Sequence, residues 1–210
     1  MKLYYTPGAC SQAPHIALHE LGLTFEAVQV DLATHRLPDG SDYYAVNPNG
    51  YVPFLVLDDG TTLSEAHVVL QYIADRDPGT LAPEFGTIER WKLMEWLGFI
   101  ATEVHKGFGP LWSPQTPPDV RERTVSALGT RFTLLAETLG RQPFLTGKDF
   151  TIADAYLFVV LNWTKVHKID LSPWPALSKF QARVAARPAV QATLADEGLV
   201  SRKRAISAAG

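Results

Sequence analysis

One cysteine, Cys10, stands in the stretch YYTPGACSQAPHIALHELG, after turn residues and before apolar residues at helical spacing. A thiol at the start of a helix meets free amide N–H groups and the positive end of the dipole, which favour a thiolate and lower its pKa. A cysteine is also a small apolar side chain suited to a core, and its placement leaves both readings open. The positions after Cys10 are Ser11, Gln12 and Ala13, so the chain lacks the resolving thiol of a C-x-x-C pair. A reactive Cys10 therefore needs a thiol from outside the chain. Ser11, at the start of the same helix, carries a hydroxyl able to bond a sulfur.

Other stretches carry chemistry of their own. IATEVHKGF holds Glu103, His105 and Lys106. A histidine there can donate to a thiolate or carboxylate and titrate near neutrality, although a lone His-Lys pair on a helix is usually surface decoration. LSEAH puts Glu65 and Ala66 in a first helical turn, where amides bind anions and an acidic side chain suits the dipole. Val52-Pro53 opens an apolar strand, which is also where an edge proline is tolerated. His15 and His19 are four apart and able to meet one metal, but no third ligand is evident nearby. HELGL also has Leu23 where the H-E-x-x-H pattern needs a histidine. FTIADAYLF has Thr151 and Asp154 at capping-box spacing with Phe150 as a staple, a structural device rather than a catalytic one.

These residues need elements to hold them. Strands are expected at 2–5, 25–30 and 52–57, with a return strand at 61–63 after the Asp59-Gly60 hairpin signal. Helices are expected at 11–21 and from a Ser64 N-cap through Arg76, the latter burying Leu70, Ile73 and Ala74. The order is β-α-β-(α)-β-β-α. After the Pro/Gly-rich DPGTLAPEFG the pattern changes to long amphipathic runs at 88–112, 119–139, 152–167 and 174–186, without a confident strand. Strands first and helices afterwards predict two domains: 1–80 and 87–200, with a linker at 81–86 and a flexible tail at 201–210. The tail's basic triplet, Arg202, Lys203 and Arg204, reads as a solvated end.

The 210 residues are 46% hydrophobic and 20% charged with a net charge of −3. That fits a globular protein without a general pull toward nucleic acid or anionic membrane. No run is long enough to span a bilayer, a single cysteine makes no internal disulfide, and no export signal is visible, so a cytoplasmic location is expected.

Together, KLYYTPGACS, NPNGYVPFLVLDDGTTLSEA, EWLGFIATEVHKGFGPL and FTIADAYLFVVL resemble the bacterial beta class of glutathione S-transferases, from Met1 to about Leu199. The resemblance implies an α/β thioredoxin-like N-terminal domain followed by an all-α domain, and a homodimer. It implies glutathione as cosubstrate without a metal, and a small hydrophobic electrophile as second substrate. Pro53 is then cis, leaving the Val52 backbone to pair with the cysteinyl part of glutathione. Glu65 and Ala66 face its γ-glutamyl end, His105 and Glu103 lie beside the sulfur, and Lys106 meets the glycyl carboxylate. Phe108 and Trp112 are candidates for the second-substrate pocket, and Tyr5 is structural. The chain departs from many relatives at four positions: His35 replaces lysine, Gly98 asparagine, Tyr51 glutamine and Ala66 serine. The expected activity is conjugation of glutathione thiolate to an electrophile, or thiol-disulfide exchange through a Cys10-glutathione mixed disulfide. The alternative, favoured by His35, Gly98 and Ala66, is a non-catalytic protein that binds a hydrophobic ligand or a protein partner.

Overall fold

The computed structural model describes residues 1–200; the basic triplet and the expected flexible tail lie outside the described residues. Strands β1 (Lys2–Tyr5), β2 (Glu26–Gln29), β3 (Phe54–Val56) and β4 (Thr62–Leu63) form one sheet in the order β2-β1-β3-β4. β1 and β2 run parallel, while β1–β3 and β3–β4 are antiparallel. The two-residue side-chain period sorts the faces. Leu3 pairs with Leu55 and both are fully buried in the main core. Tyr4 and Phe54 pair beside them and close a smaller cluster with Val30, Tyr43 and Val52 on the opposite face.

Helix α1 (Gln12–Glu20) connects β1 to β2. Pro14 lies in its first turn, where the missing N–H removes no helical bond. The helix expected between β2 and β3 is a single 3₁₀ turn, Tyr43–Ala45, with Asp42 accepting from the Tyr44 N–H. The surrounding Asp, Pro, Asn and Gly residues bond locally and stop propagation. Gly50 turns here at φ 68°, and a Cβ would lie 2.6 Å from the Tyr44 ring and 2.8 Å from His35. Helix α2 (Ala66–Ala74) buries Leu70, Ile73 and Ala74 as the pattern predicts. Its N-cap is Glu65 rather than Ser64.

The helices that follow are α3 (Ile88–Phe99), α4 (Pro118–Arg141), α5 (Ile152–Val166), α6 (Pro175–Ala185) and α7 (Pro188–Asp196). The run expected as one helix over 88–112 is instead α3, a π-helical turn Ile100–His105, and a 3₁₀ segment Lys106–Trp112. Pro110 cannot donate an intrahelical bond, and Gly107 allows close approach: a Cβ there would meet Leu128 at 2.8 Å. Helix α7 was not expected; it starts on Pro188 at its first position.

Two ion pairs join the sheet-bearing part to the helices. Arg90 grips Asp75 through both terminal nitrogens at 2.7 and 3.0 Å, and Arg187 grips Glu20 at 2.6 and 2.8 Å. Helix α5 is buried along most of its length and starts at the expected capping box. Asp154 accepts from the Thr151 N–H and hydroxyl at 2.9 and 2.8 Å, and from the Leu145 N–H at 2.8 Å. Burial pushes its carboxyl up to about 6, so these donors hold the charge at neutral pH. Asp154→Ala leaves buried donors unpaired and should cost about 2–3 kcal/mol, read as a lower urea midpoint with an unchanged slope.

Candidate active site

Cys10 occupies the turn between β1 and α1, two residues before the helix begins. Its Sγ donates to the Val52 carbonyl at 3.3 Å, and the Val52–Pro53 peptide is cis. The turn is held from the helical side. The Gly8 N–H donates to Glu197 Oε2 at 2.9 Å, and the Gly8 carbonyl accepts from Trp163 Nε1 at 2.9 Å. Glu197 also accepts from Gln12 Nε2 at 2.7 Å and lies 3.0 Å from His15 Nδ1. Ser11 is fully buried; its hydroxyl accepts from the Thr6 N–H at 3.1 Å and donates to the Thr6 carbonyl at 3.3 Å. Tyr5 is buried against the His15 ring.

The electrostatics bear on the two readings of Cys10. Cys10 remains partly accessible, yet burial pushes its thiol up to about 12. The backbone N–H groups of Cys10 and Ser11 and the Lys106 charge pull it down, while Glu65 adds to the rise. Desolvation of the anion outweighs the helix terminus and favours the neutral thiol, one of the two states that placement left open.

His105 ends the π-helical turn, with Nδ1 2.6 Å from the Tyr156 hydroxyl and its ring edge-on to Trp163 at 4.8 Å. Burial, and then the Lys106 charge, lower its pKa to about 4, so the imidazole is neutral where titration near neutrality was expected. Burial raises the Tyr156 phenol, and Cys10 and Glu65 act on it electrostatically in the same sense. Thus Cys10, His105, Tyr156, Glu65 and Lys106 share one electrostatic neighbourhood.

The remaining sequence candidates spread outward. Glu65, exposed and at φ 65°, opens α2, with Ala66 buried behind it. Such a positive φ is costly for a non-glycine residue and is typical of residues held for a site. Tyr51 is 71% exposed, while its carbonyl accepts from Tyr43 and Asn47, each at 2.8 Å. Pro53 is buried behind it. His35 stacks on Tyr44 at 4.5 Å, over Gly50. Glu103 pairs with Arg131 at 2.8 Å in a cavity of about 270 Å³ that Lys106 also lines. Gly98 faces open space. Phe108 is buried between Phe132 and Trp163; Trp112 is half exposed and packs on Trp163 and His167. A larger groove of about 480 Å³, between the linker, α3 and the loop before α5, contains neither Cys10 nor His105.

Sequence reasoning missed Tyr156, Trp163 and Glu197, which reach the Cys10 turn or His105 from distant helices and leave no local pattern. It also found no third group beside the His15–His19 pair, and Asp196 on α7 is brought there by the fold: one nitrogen or oxygen of each of the three lies within 4.8 Å of the others. The two rings stack at 22°, and each faces a carboxylate, His15 to Glu197 and His19 to Asp196. These imidazole–carboxylate contacts fasten α1 to α7.

Two predictions follow from the neutral groups. Alkylation of Cys10 in the ligand-free protein should be slow at pH 7.5 and rise about tenfold per pH unit through pH 10. The neutral His105 favours the fold above its ordinary pKa, and that contribution is lost as pH falls from 6.5 to about 4. His105→Gln should flatten this part of the urea-unfolding stability profile.

Comparison with known proteins gives a consistent picture. Residues 8–76 match the family described as "Glutathione S-transferase, N-terminal domain", and residues 99–188 match "Glutathione S-transferase, C-terminal domain". The chain is 48% identical over 201 residues to Glutathione S-transferase GstA of Escherichia coli O157:H7, covering 95% of this chain and all of that one. A bacterial beta-class glutathione S-transferase from Sphingomonas chungbukensis superposes with a TM-score of 0.91 at 45% identity, covering 95% of this chain and 100% of that chain. A sphingomonad glutathione S-transferase complexed with glutathione superposes with a TM-score of 0.90 at 42% identity and the same coverage.

Proposed function

We propose, for a chain that belongs to the glutathione S-transferase family, that it conjugates glutathione to small hydrophobic electrophiles. The observation that carries this reading is the hydrogen bond from Cys10 Sγ to the Val52 carbonyl, which sets the thiol beside the start of β3. A cysteinyl backbone that pairs with Val52 as one more strand brings its own sulfur to Cys10 and the His105–Tyr156 pair. The exposed Glu65 and the first turn of α2 suit the ammonium and carboxylate of the γ-glutamyl end. Lys106 supplies positive charge for the glycyl end.

In the proposed reaction the glutathione thiol gives its proton to solvent, and the thiolate forms the new C–S bond. In a substitution, the leaving group departs with the electron pair of its bond. His105 acts as a neutral hydrogen-bond donor to the sulfur, and the single Cys10 S–H turns to it from the Val52 carbonyl that it meets in the free protein. The raised Cys10 pKa supports this route over a mixed disulfide, because a neutral thiol is a poor attacker of disulfides. Homodimerisation, a cytoplasmic setting and the 1–80/87–200 domain division belong to the same proposal. The non-catalytic reading keeps the features that favoured it, His35, Gly98 and Ala66, of which His35 is stacked against Tyr44.

Calorimetric titration should show glutathione binding in the micromolar to low-millimolar range, weakened about tenfold by Glu65→Ala or His105→Ala. Absence of binding by calorimetry and by a second method at several millimolar overturns the proposal. With an activated aryl chloride as probe, Cys10→Ala should abolish glutathionylation yet keep measurable conjugation. Loss of both moves the chemistry to the mixed disulfide.

A further inference from the structure

The contact between Tyr156 and His105 has no part in the sequence motifs, yet it joins a buried phenol to a partly buried imidazole within electrostatic reach of Cys10. The Tyr156 hydroxyl oxygen is 2.6 Å from His105 Nδ1, and Tyr156 is 2% exposed. Among the described residues the Tyr156 hydroxyl has no other hydrogen-bond partner, and a buried O–H without an acceptor is costly, so its proton belongs on the His105 Nδ1 side. Among the described residues the other ring nitrogen, Nε2, has no hydrogen-bond partner, and it is not sealed off as a buried orphan. The ring is held in place by Trp163, edge-on at 4.8 Å, which itself grips the Gly8 carbonyl two residues before Cys10.

We propose that Tyr156 is a positioning residue: its hydroxyl donates to His105 Nδ1, so the neutral imidazole carries its one proton on Nε2 and presents that N–H to the sulfur site. A neutral imidazole has one donor and one acceptor nitrogen, and the partner of one decides the role of the other. Without Tyr156 the Nδ1–H tautomer becomes accessible, and the ring also loses the partner that fixes its orientation. A ring protonated on Nδ1 turns the lone pair of Nε2 toward a thiolate, which is repulsive. Charged groups around the pair sit at the rim: Lys106 acts on His105, and Glu65 acts on Tyr156.

This inference rests on the glutathione reading for its consequence, while the tautomer is measured without any ligand. Nitrogen-15 NMR of the free wild-type protein should show His105 protonated on Nε2 alone at pH 7. Tyr156→Phe should give a tautomer mixture and lower kcat/KM for conjugation roughly tenfold, with the thermal melt showing that the variant is folded. In a His105→Gln background, whose amide supplies a donor near Nε2 whatever Tyr156 does, Tyr156→Phe should change conjugation less than twofold. A wild-type His105 protonated on Nδ1, or a Tyr156→Phe variant with unchanged tautomer and unchanged kcat/KM, overturns the inference. A tautomer shift with undiminished kcat/KM also overturns it. A wild type that holds the Nε2–H tautomer but neither binds nor conjugates glutathione refutes the glutathione reading, and the catalytic consequence with it.

Discussion

The two-sided grip on Gly8 is the constraint from which the site follows. Its N–H is taken by Glu197 and its carbonyl by Trp163, so the turn that carries Cys10 is fixed by residues far along the chain. A buried carboxylate is tolerable only when donors surround it, and Glu197 meets Gly8, Gln12 and His15. The result is a helix α1 buried from Gln12 to Leu18, packed on α2, α5 and α7. The sheet supplies the strand that leads into the turn, but the helices decide where the turn stops.

Around that turn the chain arranges neutral donors and keeps full charges outside. Burial drives the Cys10 thiol up and the His105 imidazole down, and it also raises the Tyr156 phenol. Each effect favours the uncharged form, so the three groups meet as dipoles rather than ions. Lys106 and Glu65, both exposed, add opposite charges at the edge. A site built this way is worth more to an anion that arrives with its own hydrogen bonds to make than to one generated inside the free protein.

Features that depend on local chemistry were legible in the sequence. The KLYY strand, the apolar strand in VPFLVL (shortened to Phe54–Val56), the Asp59-Gly60 hairpin, the buried face of α2 and the Thr151–Asp154 box all appear. Features set by distant partners were not. The dipole acts on Cys10 as local chemistry says, but desolvation, which depends on the whole environment, outweighs it and decides between the two readings that placement left open. The π-helical turn that carries His105 reads in sequence as ordinary helix, since its periodicity breaks only across Ile100–His105. Glu65 takes the cap from Ser64 through a positive φ that no residue preference announces. Tyr156 hides among the apolar residues of α5, where only its hydroxyl, pointed at His105, distinguishes it.

The grip on Gly8 also has a temporal meaning. Its partners are 155 and 189 residues away in sequence. During synthesis on a ribosome the strands and α1 emerge first, and domains generally begin to fold in that order. The turn around Cys10 then lacks both its clamps until α5 brings Trp163, and Gly8, Gln12 and His15 lack the Glu197 carboxylate until the end of α7 has left the exit tunnel. An early N-terminal intermediate can therefore hold its sheet while its thiol turn stays unset, so that a helix translated late completes the reactive end of the first strand.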